Sequence, residues 1–209
     1  MSHSADSPAV KSVVVGAHRA PGGRGPGLVT RGVATRLRQP LLVIPPGATV
    51  PTTLARVLLP LEGTPATTAP IRAVLEELAL DPETRLVAVH CYAYENAPRF
   101  ADHEPHDSRE QFRAFTPHLP DRYAGGIVFR LGPPERAVPE EAAELGASLT
   151  VVTWSQVFAP GRAMLVTKLL SDLAHPTLLV PAQYGSSRRV IDLGREDDAG
   201  SVRRSVSAR

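Results

Sequence analysis

The sequence predicts an α/β fold with an open, parallel sheet, and three observations lead there. Short runs rich in valine and leucine alternate with segments whose apolar residues recur at helical spacing, the pattern of strands joined by helices. Stretches rich in glycine and proline, such as Pro21 to Gly27 and Pro45-Pro46, separate several of these runs. The third observation is an internal repeat without gaps: Val14-Val15-Gly16 aligns with Val151-Val152-Thr153, Leu28 to Arg31 with Leu165 to Lys168, and Leu41-Leu42-Val43 with Leu178-Leu179-Val180. That period is too long for a solenoid and matches one compact domain. The chain therefore reads as the tail of one domain followed by a whole copy of it.

Taken in order, Lys11 to Gly16 is a β-branched strand ending in glycine. A loop containing Gly22, Gly23, Gly25 and Gly27 leads to a helix over Leu28 to Arg38, with Val29, Val33 and Leu37 expected on one face. Leu41 to Ile44 follows as a strand closed by Pro45-Pro46. Such a β-α-β piece cannot cover both faces of two strands and needs a host. Arg56 to Leu61 is then a buried strand, and Thr67 or Thr68 can cap a helix with Pro70 in its first turn. Ile71, Val74, Leu75 and Leu78 give that helix its apolar face. Arg85 to Tyr92 is a second strand, and a helix is expected over Ser108 to Phe115 within a polar stretch. Strand Gly126 to Leu131, helix Pro139 to Leu145, strand Ser148 to Thr153, helix Arg162 to Ala174 and strand Thr177 to Pro181 complete the alternation. From Gln183 the apolar content falls and a disordered tail is expected.

Composition narrows function. The apolar and charged fractions are both ordinary for a globular protein. No apolar run reaches the length of a membrane span, and the N-terminus lacks the apolar core of a signal peptide, so a cytoplasmic protein is expected. A single cysteine, Cys91, rules out an internal disulfide and reads as a small buried apolar residue. Residues 1–50 carry six basic and one acidic side chain, whereas 51–183 carry 11 and 16. A diffuse positive charge without a clustered face argues against nucleic acid, and opposite signs suit docking of one segment on the other.

Four stretches resemble the universal stress protein family: Arg56 to Thr64 (RVLLPLEGT), Leu86 to Cys91 (LVAVHC), Leu131 to Glu135 (LGPPE) and Glu144 to Pro181. Together they cover residues 55–182, and the repeat extends the likeness to 11–45. The resemblance implies a flavodoxin-like (Rossmann-like) sheet of five parallel strands in the order 3-2-1-4-5. It divides the chain into a truncated remnant (11–46), holding the fourth strand, fourth helix and fifth strand of a first copy, a complete domain (55–182), and the tail (183–209).

Many members of that family bind ATP through a Gly-x2-Gly-x9-Gly-Ser/Thr motif after the fourth strand, where glycines allow backbone N–H groups to approach phosphates at a helix start. The corresponding residues here are Thr153, Gln156, Val166 and Thr167, of which only Thr167 keeps the motif; in the remnant they are Gly16, Arg19, Val29 and Thr30. The family's acidic residue after the first strand becomes Glu62, next to Gly63 and after Pro60. Val89 belongs to the second strand, and Arg162 stands where it could reach a phosphate. The motif reads as degenerate, and no resident cofactor is expected, ATP being the alternative.

Other signals are weak. Asp102 to Asp107 (DHEPHD) brings His103 and His106 together, but His-x2-His in a loop lacks zinc spacing, so no metal is expected. His90 reads as a packed strand residue, and His175 as a partner of helix-terminal carbonyls. Trp154, placed in the loop after the fourth strand, can fill the nucleotide cleft or cover an interface. No nucleophile elbow, Walker loop or dinucleotide fingerprint occurs. The chain is thus expected to be a non-catalytic stress-response protein acting through dimerisation or an unknown protein partner, with a homodimer through the last strand and Leu41 to Ile44 pairing antiparallel with Thr177 to Pro181, within or between chains. An adenine-nucleotide sensor or weak ATPase using Glu62, Val89 and Thr167 is the alternative, and a metal-dependent enzyme on His103 and His106 the third reading.

Overall fold

A computed structural model of the chain describes residues 12–17, 27–48, 53–62, 65–78, 80–92, 126–159, 163–172 and 174–185. The expected helix over Ser108 to Phe115, the glycine loop before Gly27, the His103–His106 loop and the tail beyond Gly185 lie outside those residues.

The elements run β1 (Val13–Gly16), α1 (Leu28–Ala34), β2 (Leu41–Ile44), β3 (Arg56–Pro60), α2 (Pro65–Glu77), β4 (Arg85–Tyr92), β5 (Ile127–Leu131), α3 (Pro134–Leu145), β6 (Leu149–Trp154), α4 (Met164–Asp172) and β7 (Thr177–Pro181). The strands form one seven-stranded sheet in the order β1-β2-β7-β6-β3-β4-β5. Strands β3 to β7 are parallel to their neighbours within that set, and numbered among themselves they have the order 3-2-1-4-5. The sheet continues past β7 because β2 pairs with it antiparallel, Leu41 with Leu179, Leu42 with Leu178 and Val43 with Thr177. β1 then pairs parallel with β2. Strand β7 has β6 on one side and β2 on the other, so the strand pairing expected for Leu41 to Ile44 lies within one chain, and no edge of β7 is left for a last-strand homodimer while β2 stays in place.

Alternation along the strands sorts the core into two faces. Val57, Leu59, Leu86, Ala88, Val151, Leu178 and Val180 meet Ile71, Val74 and Leu75 of α2 on one face. On the other, Leu58, Val87 and Val89 meet Val138 and Ala142 of α3, while Leu41, Val43, Val152 and Leu179 meet Ala34 of α1 and Val166, Leu169 and Leu170 of α4. A sheet covered on both faces calls for continuous apolar strands, which is why RVLLP and TLLVP carry no polar alternation. Each fully buried leucine or valine here contributes about 1.5–3 kcal/mol relative to exposure.

Several boundaries differ from expectation. Helix α1 stops at Ala34 rather than Arg38, and its buried residues are Thr30 and Ala34, with Val33 and Leu37 packed beside them, while Val29 is exposed. Helix α2 begins at Pro65, which places Thr68 inside and buried rather than at the cap and puts Pro70 in the helix interior. Helix α3 starts at Pro134, ahead of the expected start at Pro139, with Pro133 as N-cap and Pro139 inside. Proline preset in the helical φ range suits the start, and Gly146 in the left-handed region (φ 61, ψ 50) ends the helix. The ordered chain also runs past Gln183: Tyr184 packs on the α2 face and its hydroxyl donates to Glu77.

Candidate functional site

Strand β3 has β4 on one side and β6, reached from β5, on the other, so the strand order reverses at β3. In open α/β sheets the carboxyl ends of strands at such a reversal frame a crevice. A cleft of about 480 Å³ lies there. Pro60 ends β3 and Glu62 follows it, Val89 and Cys91 come from β4, Thr153 and Trp154 from β6, Val138 from α3, and Met164 to Val166 from the first turn of α4. The wall is largely apolar, with the carboxylates of Glu62 and Glu135 on it. A helix start leaves backbone N–H groups without partners inside the helix, so the opening turn of α4 is the donor-rich side.

Of the sequence-predicted site residues, Pro60, Glu62, Val89, Thr153 and Val166 come together on this cleft. Gly63 and Arg162 lie outside the described residues. Gln156 and Thr167 stand off the cleft wall. Thr167 is inside α4, where its N–H donates to the Ala163 carbonyl (2.8 Å) and its own carbonyl accepts from the Ser171 hydroxyl (2.6 Å). The Thr153 hydroxyl donates to the Thr67 carbonyl (2.7 Å), which ties β6 to α2 and commits its proton to the protein.

Gln156 occupies the second glycine position of the motif, and its backbone has the left-handed φ of +62°. The conformation that glycine serves is therefore present without glycine, at a cost of about 1–2 kcal/mol. What offsets the cost is the side chain. Its Nε2 donates to the Ala34 carbonyl (3.0 Å) and to the Leu37 carbonyl, the frayed C-terminal end of α1, and its Oε1 accepts from Gln183. A position expected to face a phosphate caps a helix of the N-terminal unit instead.

Trp154 is the residue that joins the two regions. It is the last residue of β6 rather than a loop residue, and 6% exposed. It lines the cleft and also belongs to the apolar cluster that includes Ala17, Ala34, Leu41 and Val43 of the N-terminal unit. Phe158 lies against it at a tilt of 56° (centroids 4.9 Å apart), and the Arg31 guanidinium of α1 lies 5.0 Å from the Phe158 ring centre. Its indole is thus shared between the cleft wall and the apolar cluster of the N-terminal unit. Phe158 and Ala163, a second non-glycine residue with positive φ (+51°), give no signal in the sequence.

The remaining candidates resolve into structural roles. Burial, with Glu135 and Glu141 adding to it against the pull of Arg130, pushes the Cys91 thiol up to about 11, so it is protonated near neutral pH. The His90 Nδ1 is hydrogen-bonded to the Leu61 carbonyl (2.8 Å), as a packed strand histidine. His175 is hydrogen-bonded through Nε2 to the Thr150 hydroxyl (2.6 Å) rather than to helix-terminal carbonyls, and burial lowers its pKa. Among the described residues no cluster of metal-ligating side chains occurs, and no helix is long and apolar enough to cross a membrane.

No protein-family model matches this sequence, and no curated protein matches it. Solved structures do. A universal stress protein from Archaeoglobus fulgidus DSM 4304 superposes with a TM-score of 0.57 at 15% identity, covering 82% of this chain and 60% of that one. A putative universal stress protein from Pseudomonas aeruginosa UCBPP-PA14 gives 0.52 at 11% identity, covering 82% and 63%. This chain thus spans about three fifths of the length of those structures. At such identities the likeness concerns architecture, and the conclusion is that the chain has the α/β fold of the universal stress proteins.

Proposed function

We propose that this chain is a non-catalytic, universal-stress-type protein of a bacterial stress response that has given up nucleotide binding and acts through self-association or a protein partner. The observation that carries the proposal is Gln156. Its amide is committed to the Ala34 and Leu37 carbonyls and to Gln183, so its side chain is turned toward α1 and is not offered to a ligand in the cleft. In the same reading, residues 11–46 are the remnant of a first copy and 55–182 the complete one. Support comes from the elements: when Val14 is set on Val151, β1, α1 and β2 fall on β6, α4 and β7 with nearly matching ends. Residues 55–182 make up about three fifths of the chain, so a superposition over 82% of it extends beyond that segment.

Adenine-nucleotide binding is a second reading, favoured by the cleft itself. Its volume, the carboxylate of Glu62 and the first turn of α4 are retained. Calorimetric titration of the full chain with ATP and magnesium separates the two. No heat at millimolar ATP is the expected result; a dissociation constant near ~10 μM, about −7 kcal/mol, would establish the second reading in place of the first.

A further inference from the structure

Five residues serve two places at once. Val152, Trp154, Ala163, Leu165 and Val166 line the cleft, and the same five pack in the apolar cluster that takes up Ala17, Ala34, Leu41 and Val43 of the N-terminal unit. The side of the cleft formed by β6 and α4 is therefore a layer shared with that unit. A close-packed layer transmits a displacement on one side to the other.

The N-terminal unit is held unevenly. Strand β2 is fixed by its ladder with β7. Helix α1 has only seven residues, no side-chain cap at Gly27 and no acidic residue in its first turn, and its buried residues are Thr30 and Ala34. A helix that short is not stable by itself, so its attachments decide whether it forms. Two of them go to the segment after β6. Gln156 donates to the Ala34 and Leu37 carbonyls, and Arg31 lies over the ring of Phe158. Gln156 also holds a φ of +62°, which a non-glycine residue keeps only while something offsets it. When α1 leaves, both carbonyls leave with it, and that backbone is free to turn back to its ordinary region. Its neighbours Ser155 and Trp154 are on the cleft.

We infer that α1 is a releasable clasp on the cleft. Seated, it fixes the segment after β6 and the Trp154 side of the wall; released, it lets that wall relax. The coupling runs both ways: an occupant that fits the cleft in its present form favours the seated helix, and unseating the helix weakens that occupant by the same factor. Gln156 and Arg31 are positioning residues, acting through the wall. This goes beyond the role proposed above and holds whichever molecule enters the cleft.

Hydrogen exchange and thiol labelling of the full chain test it, with Cys91 of the cleft wall as reporter. Gln156→Ala should speed exchange of the Thr35 and Leu37 amides, which donate to the Arg31 and Val33 carbonyls, by at least ~tenfold. Iodoacetamide labelling of native Cys91 should accelerate with it. Arg31→Ala, at an exposed position, loses the contact with Phe158 and should raise both rates about two- to fivefold. It decides the matter should Gln156→Ala fail to fold. Ile71→Val is the control: it loosens the core on the α2 face, away from α1 and the cleft, and should leave both rates near wild type. Rates in Gln156→Ala and Arg31→Ala no faster than in Ile71→Val overturn the proposal. So does fast exchange in α1 with Cys91 labelling unchanged, because the helix would then leave without moving the wall.

Discussion

Leu41 stands opposite Leu179 and Leu42 opposite Leu178, so each strand of the β2–β7 ladder meets the counterpart of its own neighbouring residue. Since Leu41 and Leu42 correspond to Leu178 and Leu179 in the repeat, this is the register that a twofold axis between two identical strands would impose. One chain reproduces internally what two copies would make by symmetry. Val43, paired with Thr177 and 1% exposed, sits in that seam. Val43→Ala should cost about 1–3 kcal/mol in urea unfolding, and Val43→Pro about 3 kcal/mol or more with loss of solubility as β7 is uncovered. Unchanged midpoints in both variants would show that β2 contributes nothing to the sheet.

The Gln156 amide links α1 to the rim of the cleft, and its removal separates two opposing effects. Gln156→Ala loses bonds to two carbonyls and keeps the unfavourable φ, so a destabilisation of about 1–3 kcal/mol is expected. Gln156→Gly loses the same bonds but relieves the backbone, so it should be less destabilised than Gln156→Ala by about 1 kcal/mol. Trp154 is the sole tryptophan and reports the outcome directly. A red shift of its emission in either variant marks loosening of the Trp154–Phe158–Arg31 cluster, and identical stability of the two variants would remove the backbone argument.

How far the sequence can be read depends on where periodicity is strong. Arg85 to Tyr92, Leu41 to Ile44 and Thr177 to Pro181 are predominantly apolar runs, and their strands match to the residue. Helix starts are harder, because proline acts both as an N-terminal signal and as an interior residue. Pro70 and Pro139 point to starts that in fact lie at Pro65 and Pro134. Helix α1 departs from expectation for a different reason. Val29 follows helical spacing, yet the face that packs is set by Thr30 and Ala34, and no single-sequence rule ranks a threonine–alanine face above a valine. At the site, Pro60, Glu62, Val89, Thr153 and Val166 line one cleft, whereas Gln156 and Thr167 do not. Gln156 illustrates the limit: its residue type argues against left-handed backbone, and only the Ala34 and Leu37 carbonyls explain why it adopts it.

His175 gives stability a pH dependence with a definite sign. Burial lowers its pKa below the usual 6.5, so the unfolded chain takes up a proton more readily than the folded one. Its contribution is fully present above about 6.5 and is lost as pH falls toward and through the lowered folded value. Thermal midpoints should decline below that point, and His175→Asn should flatten the decline while sacrificing part of the Thr150 contact. Equal slopes in wild type and variant would show that other groups set the acid limb.

The Cys91 thiol works at the opposite end of the scale. Its pKa is raised from 9.0 to about 11, chiefly by burial, so the folded state favours the protonated form. The stability this supplies is complete below about pH 9 and is lost as pH rises through about 11, where the unfolded chain has already released its proton. Alkylation of the native chain by iodoacetamide at about pH 8 should be at least ~tenfold slower than alkylation of the urea-unfolded chain, because the thiolate is the reacting form. Bound ligand in the cleft would slow it further, since Cys91 lies on the wall. Native and unfolded chains labelling at one rate would mean an accessible, ordinary thiol, and burial would not be what raises its pKa.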